Sequence, residues 1–267
     1  MNLSSLPPSK GGGSNYMTTS VTPPRSSEPF QHRRLQLAVI EAESMDVGLL
    51  YLIDHEGLRG SGRLKRDGRV YAGYDDQVND IILPKNEFGI GSVHFVIEFN
   101  SMSGQFLIKD QGDGTGTFVK LTHPILLQSY YILSFGNTHM TVVIAPQSKQ
   151  ARLTVKFIEG PKAGESLTFE SGRGMVKIGR MADCEVLFDD TSLSRYQCTL
   201  FYKENEGWYA ADGDSVKTST NGTWLFLDDY FPIESDMVFK AGMTLFRVRP
   251  TQATIVESEE ASNVSSV

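Results

Sequence analysis

Apolar positions come in short runs along this chain, and between about residues 35 and 250 the runs are broken by clusters of Gly, Asp, Asn and Pro. LQLAVIEA, VHFVIEF, QFLIKD, LTVKFIEG, MVKIGR, QCTLFY and TLFRVR are the clearest examples. Several alternate apolar and polar residues with period two, and none keeps a helical period for twelve residues. Period-two runs separated by turn residues predict strands that are buried on one face, so the pattern predicts an all-β sandwich architecture.

The pattern also repeats. Val70-Tyr71-Ala72-Gly73-Tyr74 aligns with Val176-Lys177-Ile178-Gly179-Arg180 at an offset of about 106 residues. At the same offset Gly116-Thr117-Phe118-Val119 aligns with Gly222-Thr223-Trp224-Leu225, and Ser134-Phe135-Gly136 with Lys240-Ala241-Gly242. Three matches in register indicate a duplicated unit. The expected organisation is a sandwich over residues 35–146, a short polar linker at 147–151 and a second sandwich over 152–250. A linker that short limits independent motion, so the two units are expected to pack together. Residues 1–34, rich in Ser, Pro, Gly and Thr, and the acidic stretch 251–267 bury too little apolar surface to offset ordering entropy, and are expected to be disordered tails.

The second repeat carries VKIGR, then LSRYQCTLFY, then KTSTNGTWLF. In order and spacing these resemble the forkhead-associated (FHA) family, with its Gly-Arg, Ser-Arg-x-His and Ser/Thr-x-Asn-Gly-Thr blocks. The resemblance covers residues 152–250 well and residues 36–145 more weakly. It implies two tandem FHA-like β-sandwiches, phosphothreonine-peptide binding through loops at one end, and a threonine-phosphorylated protein as partner.

The residue types suit that chemistry in their own right. A phosphothreonine brings about −1.5 to −2 charges and three strong acceptors. Arg180, directly after Gly179 at a strand end, offers a guanidinium fork. Ser194 and Arg195 add a hydroxyl and a second cation, Thr220 another hydroxyl, and Asn221 an amide able to hold the peptide backbone. Lys177 and Lys217 are expected to add positive field, while Asn221-Gly222 also reads as a hairpin turn. Gln197 stands where the family has histidine, a residue that braces the loop.

In the first repeat Gly73 is kept, but Tyr74 occupies the arginine position, Gly91-Ser92-Val93-His94 the Ser-Arg-x-His block, and Thr115-Gly116-Thr117 the Asn-Gly-Thr block. Both phosphate-facing cations and the asparagine are missing, which predicts a scaffold or docking role there, with His94 a loop brace.

Other classes fall away. The formal net charge of −7 argues against direct nucleic-acid binding by bulk electrostatics. No run approaches 18 apolar residues, and the N-terminus has no secretory h-region, so an intracellular protein, cytoplasmic or nuclear, with no membrane partner is expected. Cys184 and Cys198 have no metal-ligand spacing, and Asp110–Thr115 lacks the carboxylates of a calcium loop, so no metal and no cofactor are expected. With five scattered histidines, none in the second repeat, and no catalytic motif, the chain is not expected to be an enzyme. Two readings remain open: a phospho-dependent adaptor working through the second repeat, or a structural subunit docking through both sandwiches without phosphate. Thr18, Thr19, Thr22, Thr251 and Thr254 are expected in flexible segments and offer the second repeat phosphorylated ligands from its own tails.

Overall fold

The computed structural model describes residues 33–61, 67–145, 151–214 and 216–252, so the expected tail segments 1–32 and 253–267 lie outside the described residues. The first repeat forms β1 (Arg33–Glu41), β2 (Leu50–Asp54), β3 (Gly57–Leu58), β4 (Arg69–Gly73), β5 (Ile81–Ile82), β6 (Phe95–Asn100), β7 (Gln105–Asp110), β8 (Thr117–Lys120), β9 (Ile125–Leu126), β10 (Ile132–Phe135) and β11 (Thr138–Ile144). The second forms β12 (Arg152–Glu159), β13 (Ser166–Glu170), β14 (Val176–Gly179), β15 (Val186–Leu187), β16 (Cys198–Lys203), β17 (Gly207–Asp212), β18 (Trp224–Phe226), β19 (Phe231–Pro232), β20 (Val238–Ala241) and β21 (Thr244–Gln252). Among the described residues there is no α-helix, and so no helix long and apolar enough to cross a membrane. The all-β reading holds. Thr251, expected in the acidic tail, instead lies in β21 opposite Arg34, because the strand pairing runs on to Gln252.

Three sheets result. One has eleven strands in the order β13-β12-β11-β10-β18-β8-β20-β21-β1-β2-β3, and two have five, β15-β14-β16-β17-β9 and β19-β7-β6-β4-β5. Each five-stranded sheet covers one half of the long sheet. Phe95 of β6 meets Phe239 of β20 and Phe246 of β21 edge to face, whereas Phe188, just after β15, meets Phe135 of β10 and Phe157 of β12. Alternation does the rest: Leu35, Leu37 and Val39 of β1, and Leu153, Val155 and Phe157 of β12, point into the core, and their neighbours point out.

The sequence repeats and the packed units do not coincide. β9 pairs with β17, β10 with β18 and β11 with β12, all across the repeat boundary. In return β19 pairs with β7, β20 with β8 and β21 with β1. Strands β1–β8 and β19–β21 therefore make one sandwich, and the continuous run β9–β18 makes the other. These units cross the expected boundaries, 35–146 and 152–250, and β11 and β12, on either side of the expected linker, pair inside one sheet. The local cause is that short connection. Antiparallel neighbours closed by few residues form a hairpin at low loop entropy, and β11 runs from Ile144↔Leu153 into such a ladder with β12. β1 is then left without β11 and takes β21.

The two sandwiches are fused at the β8–β18 pair, Trp224↔Lys120, Leu225↔Val119 and Phe226↔Phe118. On the outer side of this seam Phe118, Trp224 and Val238 form a small second apolar cluster.

Exchange of this kind makes a specific expectation for fragments. Residues 124–228 hold every strand of the second sandwich in one continuous piece. Expressed alone, that fragment is expected to show a cooperative thermal transition and dispersed amide resonances. A disordered 124–228 fragment would contradict the strand exchange, since in an unexchanged arrangement it lacks its closing strands.

Candidate functional site

The predicted binding residues of the second repeat come from three loops at one end of the β9–β18 sandwich. Arg180 follows β14, Ser194 and Arg195 precede β16, and Thr220 and Asn221 precede β18. The first two loops are stitched through the backbone: Arg180 N donates to the carbonyls of Ser194 (3.4 Å) and Arg195 (3.2 Å), and Met181 N to Arg195 O (3.3 Å). Only glycine fits before Arg180, because a Cβ on Gly179 would stand 2.3 Å from Arg195 O. The Arg180 side chain is anchored by Nε, which donates to Leu193 O at 2.9 Å. The residue is exposed, and among the described residues its terminal nitrogens make no hydrogen bond. Neither Arg180 nor Arg195 forms an ion pair among the described residues.

The second and third loops meet through hydroxyls. Ser194 Oγ accepts from Thr220 N at 2.8 Å and donates to Thr220 Oγ1 at 3.3 Å, which leaves the threonine hydroxyl hydrogen free to donate outward. Asn221 is exposed, its carbonyl accepting from Trp224 Nε1 at 3.0 Å. Arg180, Ser194 and Thr220 are thus brought together, with Arg195 and Asn221 flanking them. Gly222 takes φ +83°, which suits its residue type at this turn.

Two expected helpers behave differently from one another. Lys177 Nζ donates to Asp183 at 3.0 Å and lies over the Tyr196 ring, so its charge is neutralised locally. That pairing holds the Asp183 carboxyl below the usual carboxylate range. Lys217 is exposed and makes no ion pair among the described residues.

Beneath the loops is a network that sequence reading did not single out. Asp212 accepts from Ser219 N, Ser219 Oγ and Thr223 Oγ1 at 2.6–3.0 Å, and Thr223 Oγ1 also reaches Gln197 O. The signal was present, because Asp110 and Thr117 stand at the equivalent places of the first repeat and are bonded in the same way (2.8 Å).

Gln197 sits at the centre and is 1% exposed. Its Oε1 accepts from Ser194 N (3.2 Å), and its Nε2 donates to Ser219 Oγ (2.9 Å) and Gly222 O (3.0 Å). His94 does the same work in the first sandwich: Nδ1 accepts from Gly91 N (3.1 Å), and Nε2 faces Gly116 O (3.2 Å). The amide of Gln197 reproduces the acceptor–donor pair of a neutral imidazole, so the replacement keeps the brace.

The first sandwich's loop end is otherwise unlike the second. Tyr74 lies beneath Lys85, and Ser92, at the place of Arg195, gives both its N–H and its hydroxyl to Asp113 Oδ2 at 2.6 Å. Those two donors hold the Asp113 carboxyl below its usual range. The position is occupied by the chain's own anion.

Burial pushes the Cys198 thiol up to about 12, too high for a thiolate at neutral pH, and Cys184 is pushed up for the same reason. No cluster of His, Cys, Asp or Glu among the described residues could hold a metal ion.

Burial lowers the His94 pKa below its ordinary 6.5 by disfavouring the charged ring, against the opposing pull of Asp110 and the Gly116 carbonyl. As pH falls through 6.5 the unfolded chain takes up that proton first, so stability drops with acidification and is retained above 6.5. His94→Gln, the residue already used at Gln197, is expected to stay within about 1 kcal/mol of wild type at pH 7. It should also lose less stability than wild type between pH 7 and 5 in urea titrations, with His139, likewise pushed down by burial, giving the remaining slope. Identical pH profiles would contradict the brace.

Comparison with known families agrees with this geometry. The model of the FHA domain matches residues 66–136 and 176–242, just over half of the chain and in two copies. No curated protein shows a significant match. Domains of this family are binding modules for phosphothreonine peptides in signalling and adaptor roles. With three site loops at one end of each β-sandwich and both copies matched by the family model, the chain belongs to the FHA family.

Proposed function

We propose that this protein is an adaptor that binds a threonine-phosphorylated protein through the second repeat alone, with Arg180, Ser194, Arg195, Thr220 and Asn221 as the binding residues. The observation that carries the reading is the exposed Arg180 fork, anchored through Nε and without an ion pair among the described residues, beside the linked hydroxyls of Ser194 and Thr220. A dianionic group placed there meets the Arg180 guanidinium and the outward Thr220 hydroxyl, both already held in place, so little ordering is needed on binding. Asn221, next along the same loop, presents an amide to the ligand backbone. In the first sandwich Asp113 would repel the same group, and no guanidinium replaces Tyr74.

The chain's own phosphorylated tails are a possible ligand source in this reading, apart from Thr251, whose strand pairing removes it. Thr18, Thr19, Thr22 and Thr254 lie outside the described residues. The unpaired thiols Cys184 and Cys198 suit a reducing, intracellular setting, where kinases make such ligands.

In calorimetric titration of the intact chain, a phosphothreonine peptide is expected to bind in the micromolar range, about −8 kcal/mol. Its unphosphorylated twin should bind at least about tenfold more weakly. Arg180→Ala should cost roughly 1.5–3 kcal/mol of that affinity and leave the thermal midpoint unchanged, since the side chain is exposed. Equal affinity for the twins would remove the proposal in favour of phosphate-independent docking.

A further inference from the structure

The seam between the sandwiches places an unusual pair of cations beside this site. Lys120 ends β8 and Lys240 lies in β20, both in the first sandwich, yet both reach Trp224 of the second. Their ammonium groups lie 5.8 and 4.8 Å from the centre of the Trp224 ring, and Lys240 is also 5.2 Å from that of Phe118. The Lys120 stem crosses the Gly222 turn so closely that a Cβ there would stand 2.6 Å from Lys120 Cε. Gly222 follows Asn221 directly, so Lys120 borders the ground a ligand held by Asn221 must cross.

Among the described residues no carboxylate lies within ion-pair distance of either lysine. Glu41 is on the same face, opposite Leu245, and pairs with neither. Burial already lowers the Lys240 pKa, and its charge in turn helps push His139 down. The same outward face continues to Arg247, whose buried Nε has no hydrogen-bond partner, and to Arg249 beyond it. Two like charges sharing one indole repel each other. The face gains most from an anion that arrives with the ligand.

We infer that the ligand carries acidic residues beside its phosphothreonine, and that Lys120 and Lys240 of the first sandwich receive them. This rests on the phosphopeptide reading of the second site. It gives the first sandwich, whose own loop end is filled by Asp113, a direct part in choosing the partner. Carboxylates are the fitting occupant because Lys120 crosses the Gly222 turn next to Asn221 and Lys240 shares its Trp224 ring, while Trp224 and Phe118 are too buried, each 7% exposed, to stack on a base or enter a lipid layer.

The test uses the intact chain and two phosphothreonine peptides, one with glutamates on both sides of the phosphothreonine and one with glutamines there instead. The acidic peptide should bind about five- to tenfold more tightly at low salt, with the margin shrinking as salt is raised. The double variant Lys120→Met and Lys240→Met, which keeps the stems over Trp224, should erase that margin and leave the glutamine peptide within about twofold of its wild-type affinity. Arg180→Ala should weaken both peptides together. If both peptides bind through Arg180 but the margin is absent, or survives in the double variant, the inference fails and the site reading stands. If no peptide binds in an Arg180-dependent way, both fail. Vesicles of anionic lipid that bind wild type, lose binding in the double variant and compete with no peptide would assign the pair to a membrane surface and also overturn it.

Discussion

The pairing of β11 with β12 is the constraint on which the rest of the architecture depends. Once the last strand of the first repeat folds back on the first strand of the second, each has a neighbour in the other's repeat. β1 and β21 then pair as the remaining ends, from Arg33↔Gln252 to Glu41↔Leu245. Unpaired strand edges are aggregation hazards, and this closure removes two of them at once. It also brings β8 against β18, so the first sandwich lends Lys120 to the wall of the second repeat's loop site. Two repeats alike in sequence thus become unequal sandwiches that share one eleven-stranded sheet.

Inequality extends to the loop ends. Both sandwiches keep the buried frame: an aspartate bonded to a threonine hydroxyl, a glycine pressed against the neighbouring loop, and a central side chain with one acceptor and one donor. What differs is the outer layer. Arg180 and Arg195 face solvent without an ion pair among the described residues in one, and in the other Asp113 takes the donors of Ser92. Frame and chemistry vary independently, as expected when burial fixes the first and only the ligand fixes the second.

Much of this was legible in the sequence. Period-two runs gave the strands, the constant offset gave the duplication, and the Gly179-Arg180, Ser194-Arg195 and Thr220-Asn221 blocks located the loops. The exchange was not legible, because β20 and β21 carry the same apolar alternation whichever copy of β8 and β1 they meet; register is written in the strands, but partner choice between equivalent strands is not. Lys120 and Lys240 went unnoticed for the same reason, being ordinary outward lysines until the seam sets both on Trp224. Lys177 looked like part of the site until Asp183, six positions on, appeared as its partner. Gln197 departed from the family's histidine by residue type, and its role emerged only with the geometry of its amide.

In the proposed function, phosphate recognition lives in the second repeat and is absent from the first. Amide resonances of the intact chain, followed during titration with a phosphothreonine peptide, test it most directly. Shifts are expected at Arg180, Ser194, Arg195, Thr220 and Asn221 that an unphosphorylated peptide does not produce, while Tyr74, Ser92 and Asp113 stay in place. Phosphate-dependent shifts gathered around Ser92 and Asp113, with Arg180 and Ser194 unmoved, would contradict it.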